Sequence, residues 1–174
     1  MTARAIVLIG PMGAGKTSVG KRAAKALGIP FYDSDAAVVR AHGPIAEIFT
    51  THGEEHFRAL ERDAVAAGLA QGGVVALGGG AVLDPQTQQQ LAGHRVVLLT
   101  VDPAIVAGRI RGAARPLLND DVDDPVARWN AVYDARRELY TRLADVTFDT
   151  STGPLQGIVD AIVDWARNEQ EPLP

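Results

Sequence analysis

Apolar residues gather in three short unbroken runs: Ala5 to Ile9, Val74 to Leu77, and Arg95 to Thr100, which reads R-V-V-L-L-T. Short continuous runs, as opposed to long polar/apolar alternation, suit parallel strands covered on both faces. Ile29 to Asp33 and Asp145 to Asp149 (D-V-T-F-D) are weaker strand candidates. The gaps carry helical spacing. Thr17 to Leu27 places Val19, Ala23, Ala26 and Leu27 on one face, and Gly28 follows as a C-terminal cap. A helix is predicted from about Ile45 to Thr51, and a longer one from Glu54 to Leu69 with Phe57, Leu60, Ala64 and Val65 in phase. Pro125 and Pro154 suit the first turns of helices running to about Leu143 and Asn168. Strands alternating with helices predict an α/β chain: three α/β/α layers around a central five-stranded parallel sheet with right-handed connections.

A length of 174 residues fits one domain over 1–174, with 47% apolar and 22% charged residues as in ordinary globular proteins. The net charge of −4 gives no general attraction to nucleic acid or to an anionic membrane, so any anion site must be local. No run approaches the roughly 20 apolar residues of a membrane span, and no secretory signal stands out, so a cytoplasmic location is expected. Cysteine is absent, which excludes disulfides and thiolate chemistry. Nothing marks an obligate interface, and a monomer is the expectation. Asn119 to Asp124 (N-D-D-V-D-D) reads as an acidic loop, and Asn168 to Pro174 as a fraying tail.

The first apolar run leads without a spacer into Gly10-Pro11-Met12-Gly13-Ala14-Gly15-Lys16-Thr17-Ser18, which satisfies G-x-x-x-x-G-K-[ST]. Glycines let successive backbone N–H groups turn inward, and the helix that follows adds its unpaired N–H groups and positive dipole end. Such a concavity fits a polyphosphate. Lys16 is placed to meet the β and γ phosphates, Thr17 to ligate Mg²⁺, and Ser18 to support the neighbouring phosphate. Lys16 is one of only three lysines in a chain with fourteen arginines.

A phosphate loop alone does not separate a kinase from a nucleotide switch. Asp33 and Asp35, in F-Y-D-S-D at the end of the second strand candidate, share one side if the chain there is extended, and Ser34 faces away. One carboxylate can organise a metal and its waters, and the other can hold or deprotonate an acceptor hydroxyl, which makes both catalytic candidates. Arg58, in G-E-E-H-F-R-A-L-E, and Arg137, in D-A-R-R-E-L-Y, suit either surface ion pairs or a bidentate grip on a substrate carboxylate, and spacing does not resolve the choice. Gly78, Gly79 and Gly80 follow the third strand directly, where a ligand can approach the backbone or the chain can simply turn. Arg109, Arg111 and Arg115, interspersed with Gly108 and Gly112, suit a mobile cover that neutralises phosphate and excludes water, or an exposed basic loop facing the acidic stretch. His42, His52, His56 and His94 form no zinc spacing and read as surface or packing residues.

The ordered set G-P-M-G-A-G-K-T-S, F-Y-D-S-D, G-E-E-H-F-R, G-G-G-A-V, R-P-L-L and R-E-L-Y resembles the shikimate kinase family over about Ile6 to Trp165. The resemblance implies the P-loop NTPase fold, with an acceptor-binding region at about 33–62 and a lid over the nucleotide site at about 109–124. It also implies ATP and shikimate as substrates, Mg²⁺ as cofactor, and transfer of the γ-phosphoryl group to the shikimate 3-hydroxyl. By the same resemblance, Gly13, Ala14, Gly15, Lys16, Thr17 and Ser18 hold the phosphates, Thr17 and Asp33 the metal, and Asp35 the shikimate hydroxyls. Arg58 and Arg137 grip the carboxylate, Gly78 to Gly80 lie against the ring, and Arg115 is the lid arginine. The span from Gly108 to Arg115 is shorter than in some relatives, leaving open which of Arg109 and Arg111 reaches the phosphates. The stretch D-T-S-T-G at 149–153 lacks the arginine that some members place beside adenine. A kinase for another hydroxy acid such as gluconate, and a nucleotide-binding module without transferase activity, are the alternatives.

Overall fold

The computed structural model describes residues 3–110 and 124–169. Five parallel strands run through it: β1 (Ile6–Ile9), β2 (Phe31–Asp33), β3 (Val74–Ala76), β4 (Arg95–Thr100) and β5 (Val146–Asp149). Their spatial order is β2-β3-β1-β4-β5. Ile6 pairs with Val74 on one side and Arg95 on the other, which seats β1 in the centre. Every residue of β1 and β3 is buried, the result of helices covering both faces, so these strands carry no alternation. The edge strand β5 has one face half-exposed and alternates accordingly.

The connections are helical: α1 (Lys16–Leu27), α2 (Ser34–His42), α3 (Ile45–His52), α4 (Glu54–Gln71), α5 (Pro85–Leu91), α6 (Pro103–Ile110), α7 (Pro125–Leu143) and α8 (Leu155–Asn168), with one 3₁₀ turn over Ala81–Leu83. Gly28 closes α1 at φ 68°, its N–H donating to the carbonyls of Ala24 and Lys25. Pro125 stands in the first turn of α7, and the Asp124 side chain accepts the Val126 N–H. Residues 119–123 of the acidic stretch and 170–174 of the tail lie outside the described residues.

Three helices were not anticipated. The second strand stops at Asp33, whose carboxylate caps α2, so Asp35 sits in a helical first turn and not in extended chain. The polar sequence P-Q-T-Q-Q-Q-L of α5 and the eight residues of α6 carry too little periodicity to stand out. The main core joins the sheet to the flanking helices, while Val38, Ile48 and Phe57 form a separate cluster beneath α2, α3 and α4. At the opposite pole from the glycine loop, Arg95 is buried. It donates to the last carbonyls of α8, Trp165 and Ala166, and stacks 4.4 Å from the Trp165 ring. Among the described residues no helix is long and apolar enough to cross a membrane.

Candidate active site

The carboxyl ends of β1, β2 and β3 open into one cleft of about 350 Å³, the crevice where open α/β sheets place ligands. The loop from β1 to α1 forms one wall. Gly10 has φ 142°, and a Cβ there would lie 2.2 Å from the Leu99 carbonyl oxygen; Gly15 has φ 91°. Both positions demand glycine. Gly13, Gly15, Lys16, Thr17 and Ser18 line the cleft. Ala14 does not. Its side chain is fully buried and its N–H closes on the Pro11 carbonyl, so the phosphate contact expected of it is not poised here. The Lys16 ammonium bends back onto the carbonyls of Gly10 and Pro11 at 2.7 and 2.9 Å, which holds its charge over the loop.

Asp33 performs two local tasks. One carboxylate oxygen caps α2 through Ala36 N–H, and the other accepts the Thr17 hydroxyl at 2.6 Å. A hydroxyl and a carboxylate side by side at the mouth of a phosphate loop form a hard oxygen set that fits Mg²⁺, an ion that binds through one or two protein oxygens plus phosphate and water. No larger cluster of acidic or histidine ligands exists among the described residues.

The glycine triplet explains itself by space. None of Gly78, Gly79 and Gly80 has positive φ, yet a Cβ at Gly78 or Gly80 would press on charged side chains, and one at Gly79 would stand in ordinary contact with another. At Gly78 it would stand 2.5 Å from Asp35 Oδ1 and 3.0 Å from Glu61 Oε2, at Gly79 3.6 Å from Arg136 Nη1, and at Gly80 2.5 Å from both terminal nitrogens of Arg58. A bare backbone floor thus lies under two carboxylates and two guanidiniums drawn from α2, α4 and α7.

Arg58 is ion-paired within α4 and also stands over the glycine floor. Its Nη1 donates to Glu61 at 2.7 Å and its Nη2 to Glu54 at 3.3 Å, while the head remains over Gly80. Burial pulls its pKa down, but the charges and hydrogen bonds of Glu61 and Glu54 outweigh that and raise it. Glu61 is 3% exposed. Burial raises its pKa against the pull of Arg58, Asp35 raises it further, and Arg136 opposes. The guanidinium is therefore firmly charged, and burial makes Glu61 a weaker acid than an ordinary glutamate.

Arg137 does not reach the cleft. Its side chain is 61% exposed, pairs with Asp134 one turn away, and lies over the outer face of Tyr133. The arginine that α7 turns inward is Arg136, 7% exposed. The buried residues of α7 are Trp129, Tyr133, Arg136 and Tyr140, spaced four, three and four along one helical face. Arg137 is one residue, about 100°, off that stripe. The aromatic spacing W-x-x-x-Y-x-x-R-x-x-x-Y was the available signal. Glu61 was equally readable, since it falls in phase with the buried Phe57 and Val65.

Arg109 lines the cleft and donates to the carbonyls of Gly13 at 2.9 Å and Thr150 at 3.0 Å. Thr150, buried, bonds the Ala14 carbonyl in turn, and the Trp129 indole N–H donates to the Met12 carbonyl at 2.8 Å. Three side chains from later in the chain thus brace the glycine loop; of these the sequence pointed only to Arg109, as a residue for the phosphates and not as a brace. Arg111 and Arg115 lie outside the described residues, as do 111–123 of the expected lid.

Comparison with known proteins fits this geometry. The family model "Shikimate kinase" matches residues 12–167. The shikimate kinase of Streptomyces avermitilis is 44% identical over 168 residues, covering 94% of this chain and 96% of that one. That of Thermobifida fusca is 50% identical over 148 residues, 83% and 84% of the two chains. The structure of shikimate kinase from Acinetobacter baumannii in complex with shikimate superposes with a TM-score of 0.90 at 32% identity, covering 98% of this chain and 97% of that one. A phosphate loop facing a glycine floor, within a chain so matched along nearly its whole length, leads to one assignment: the chain belongs to the shikimate kinase family.

Proposed function

We infer that this chain transfers the γ-phosphoryl group of ATP to the 3-hydroxyl of shikimate, giving ADP and shikimate 3-phosphate. The observation that carries the reading is the glycine floor at 78–80, with Arg58 and Arg136 over one end and Asp35 over the other, beside the phosphate loop. A substrate with a carboxylate at one end of a ring and hydroxyls at the other matches that charge order.

Arg58 and Arg136 take the carboxylate, Arg136 replacing the Arg137 of the sequence reading. Each guanidinium presents a planar fork, and two forks fix the orientation of the ring and hence which hydroxyl faces the nucleotide. Asp35 accepts a hydrogen bond from the ring hydroxyls. Gly78 to Gly80 let the ring rest on backbone. The acceptor region is therefore 33–62 together with the 78–80 turn and one face of α7.

On the donor side, the N–H groups around Gly13 and Gly15 and the start of α1 cradle the phosphates. Lys16 exchanges its two loop carbonyls for phosphate oxygens and offsets charge that develops during transfer. Thr17 and Asp33 are the residues that would hold Mg²⁺, which when bound supplies charge neutralisation to the polyphosphate. Arg109 secures the loop, and Arg111 and Arg115 are proposed as further cations for the phosphates and for the cover over the nucleotide at 109–124.

The test is ADP formation by the purified protein from Mg²⁺-ATP with shikimate, beside no-acceptor and gluconate controls, with the product identified by mass and NMR. Shikimate-dependent ADP matched by the 3-phosphate is the expected result. Phosphorylation of gluconate alone, or nucleotide binding without any transfer, overturns the reading.

A further inference from the structure

Tyr140 sits on the inward stripe of α7, one turn beyond Arg136, and is 1% exposed. Its hydroxyl donates to the Gly79 carbonyl at 2.5 Å, across 61 residues of sequence. The Arg136 guanidinium, one turn back on the same buried face, stands beside the same glycine and bears on the phenol electrostatically. Phenylalanine would fill the space as well, and a buried hydroxyl weakens a core unless it is bonded. Here the O–H is committed to a backbone carbonyl of the cleft.

We infer that Tyr140 is a positioning residue for the acceptor: its hydroxyl ties α7, one turn beyond Arg136, to the glycine floor and so sets the separation between the carboxylate-binding guanidinium and that floor. The inference rests on the assignment of Arg136 and Gly79 to the shikimate site. Two effects follow. The tie at Tyr140 fixes the inward face of α7 against the floor one turn from Arg136, which keeps the Arg136 guanidinium beside Gly79. The Gly79 carbonyl is drawn toward α7, and because a trans peptide holds C=O and N–H antiparallel, the Gly80 N–H is turned away from α7. Burial raises the Tyr140 pKa while Arg136 lowers it, with burial prevailing, so the hydroxyl keeps its proton and remains a donor through the working pH range. Tyr140 touches no reacting atom, so its effect should appear in acceptor binding and alignment, not in nucleotide binding.

The experiment uses Tyr140→Phe, Arg136→Ala and the double variant, with shikimate and shikimate methyl ester as probes and a non-hydrolysable ATP analogue measured separately by calorimetry. Tyr140→Phe is expected to weaken shikimate about 10-fold, as for loss of one buried hydrogen bond that aligns α7. The ester should weaken far less and the nucleotide not at all. In the Arg136→Ala background, Tyr140→Phe should cost little more, because the two act as a unit. If Arg136→Ala binds shikimate like the wild type, the acceptor reading itself fails and this inference with it. If Arg136→Ala loses shikimate but folded Tyr140→Phe does not, only the positioning role is overturned. Equal losses for acid, ester and nucleotide mean general loosening and also overturn it. Should Tyr140→Phe not fold, 4-fluorophenylalanine at position 140 keeps the ring and nearly its size but cannot donate to Gly79. Selective loss of shikimate in that protein supports the role, and wild-type affinity refutes it.

Discussion

Replacing Gly80 with alanine puts a methyl group where the head of Arg58 now rests. The added Cβ would stand 2.5 Å from both terminal nitrogens and 2.7 Å from Cζ, against the 3.4 Å at which ordinary contact begins. The guanidinium must therefore retreat by about 0.9 Å. It cannot do so freely, because Glu61 and Glu54 hold it at 2.7 and 3.3 Å. The backbone at Gly80 has φ −96° and ψ −1°, which alanine adopts without strain, and the atoms displaced are the end of a side chain. Folding should survive, with a Tm change of no more than about 4 °C. Binding should not. A shift near 1 Å breaks the paired geometry of one charge-assisted contact, about 1.5–3 kcal/mol. That corresponds to roughly 10- to 150-fold in shikimate affinity. The assays are calorimetric titration with shikimate, titration with the ATP analogue, and a melting curve. A folded Gly80→Ala protein with wild-type shikimate affinity would refute the argument that the triplet is bare to make room for the acceptor's arginine.

Arg137→Ala should leave shikimate KM unchanged and alter stability by less than about 1 kcal/mol, because it removes an exposed ion pair with Asp134 and a partly exposed contact with the Tyr133 ring. A selective rise in KM would return the carboxylate role to that residue. Lys16→Met should lower kcat by about 100-fold or more in a protein that still melts cooperatively, and near-normal turnover would reject its role at the phosphates. The His94 ring accepts the Ala5 N–H through Nδ1 at 3.0 Å, so the folded state favours the neutral ring. Burial and the nearby Arg4 lower its pKa below the ordinary 6.5. With the folded pKa depressed, this contribution is intact above 6.5 and declines as pH falls below it. His94→Gln, which can still accept that N–H, should flatten the decline in urea-unfolding stability between about pH 7.5 and about pH 5.5. An unchanged slope would show that other groups cause it.

Local chemistry accounts for what the sequence made readable. The glycine loop, the three unbroken apolar runs and the proline-started α7 each declare themselves within a few residues, and the structure places them where the pattern does. The miss at Asp33 to Asp35 is a matter of one peptide: strand and helix meet there without a loop, and Asp33 itself is the cap, so an extended reading was carried two residues too far. Choosing Arg137 over Arg136 was a phase error, because the adjacent arginines differ only in which side of α7 they occupy. The pairing of each glycine in the triplet with its own charged residue was beyond any local pattern. Its partners come from positions 35, 58, 61 and 136, brought together only by the crossovers of the sheet.

The bare floor also limits how the protein can respond to selection by an inhibitor. A compound that draws its affinity from side chains can be evaded by changing those side chains. One that lies on the backbone of Gly80 offers no such target, since that position presents only peptide groups. A larger residue introduced there to repel it would first press on Arg58, and so on the hold proposed above for the substrate. Escape would have to come from elsewhere, at the cover or the nucleotide side, and the acceptor floor is the part of the surface where resistance and activity are hardest to separate.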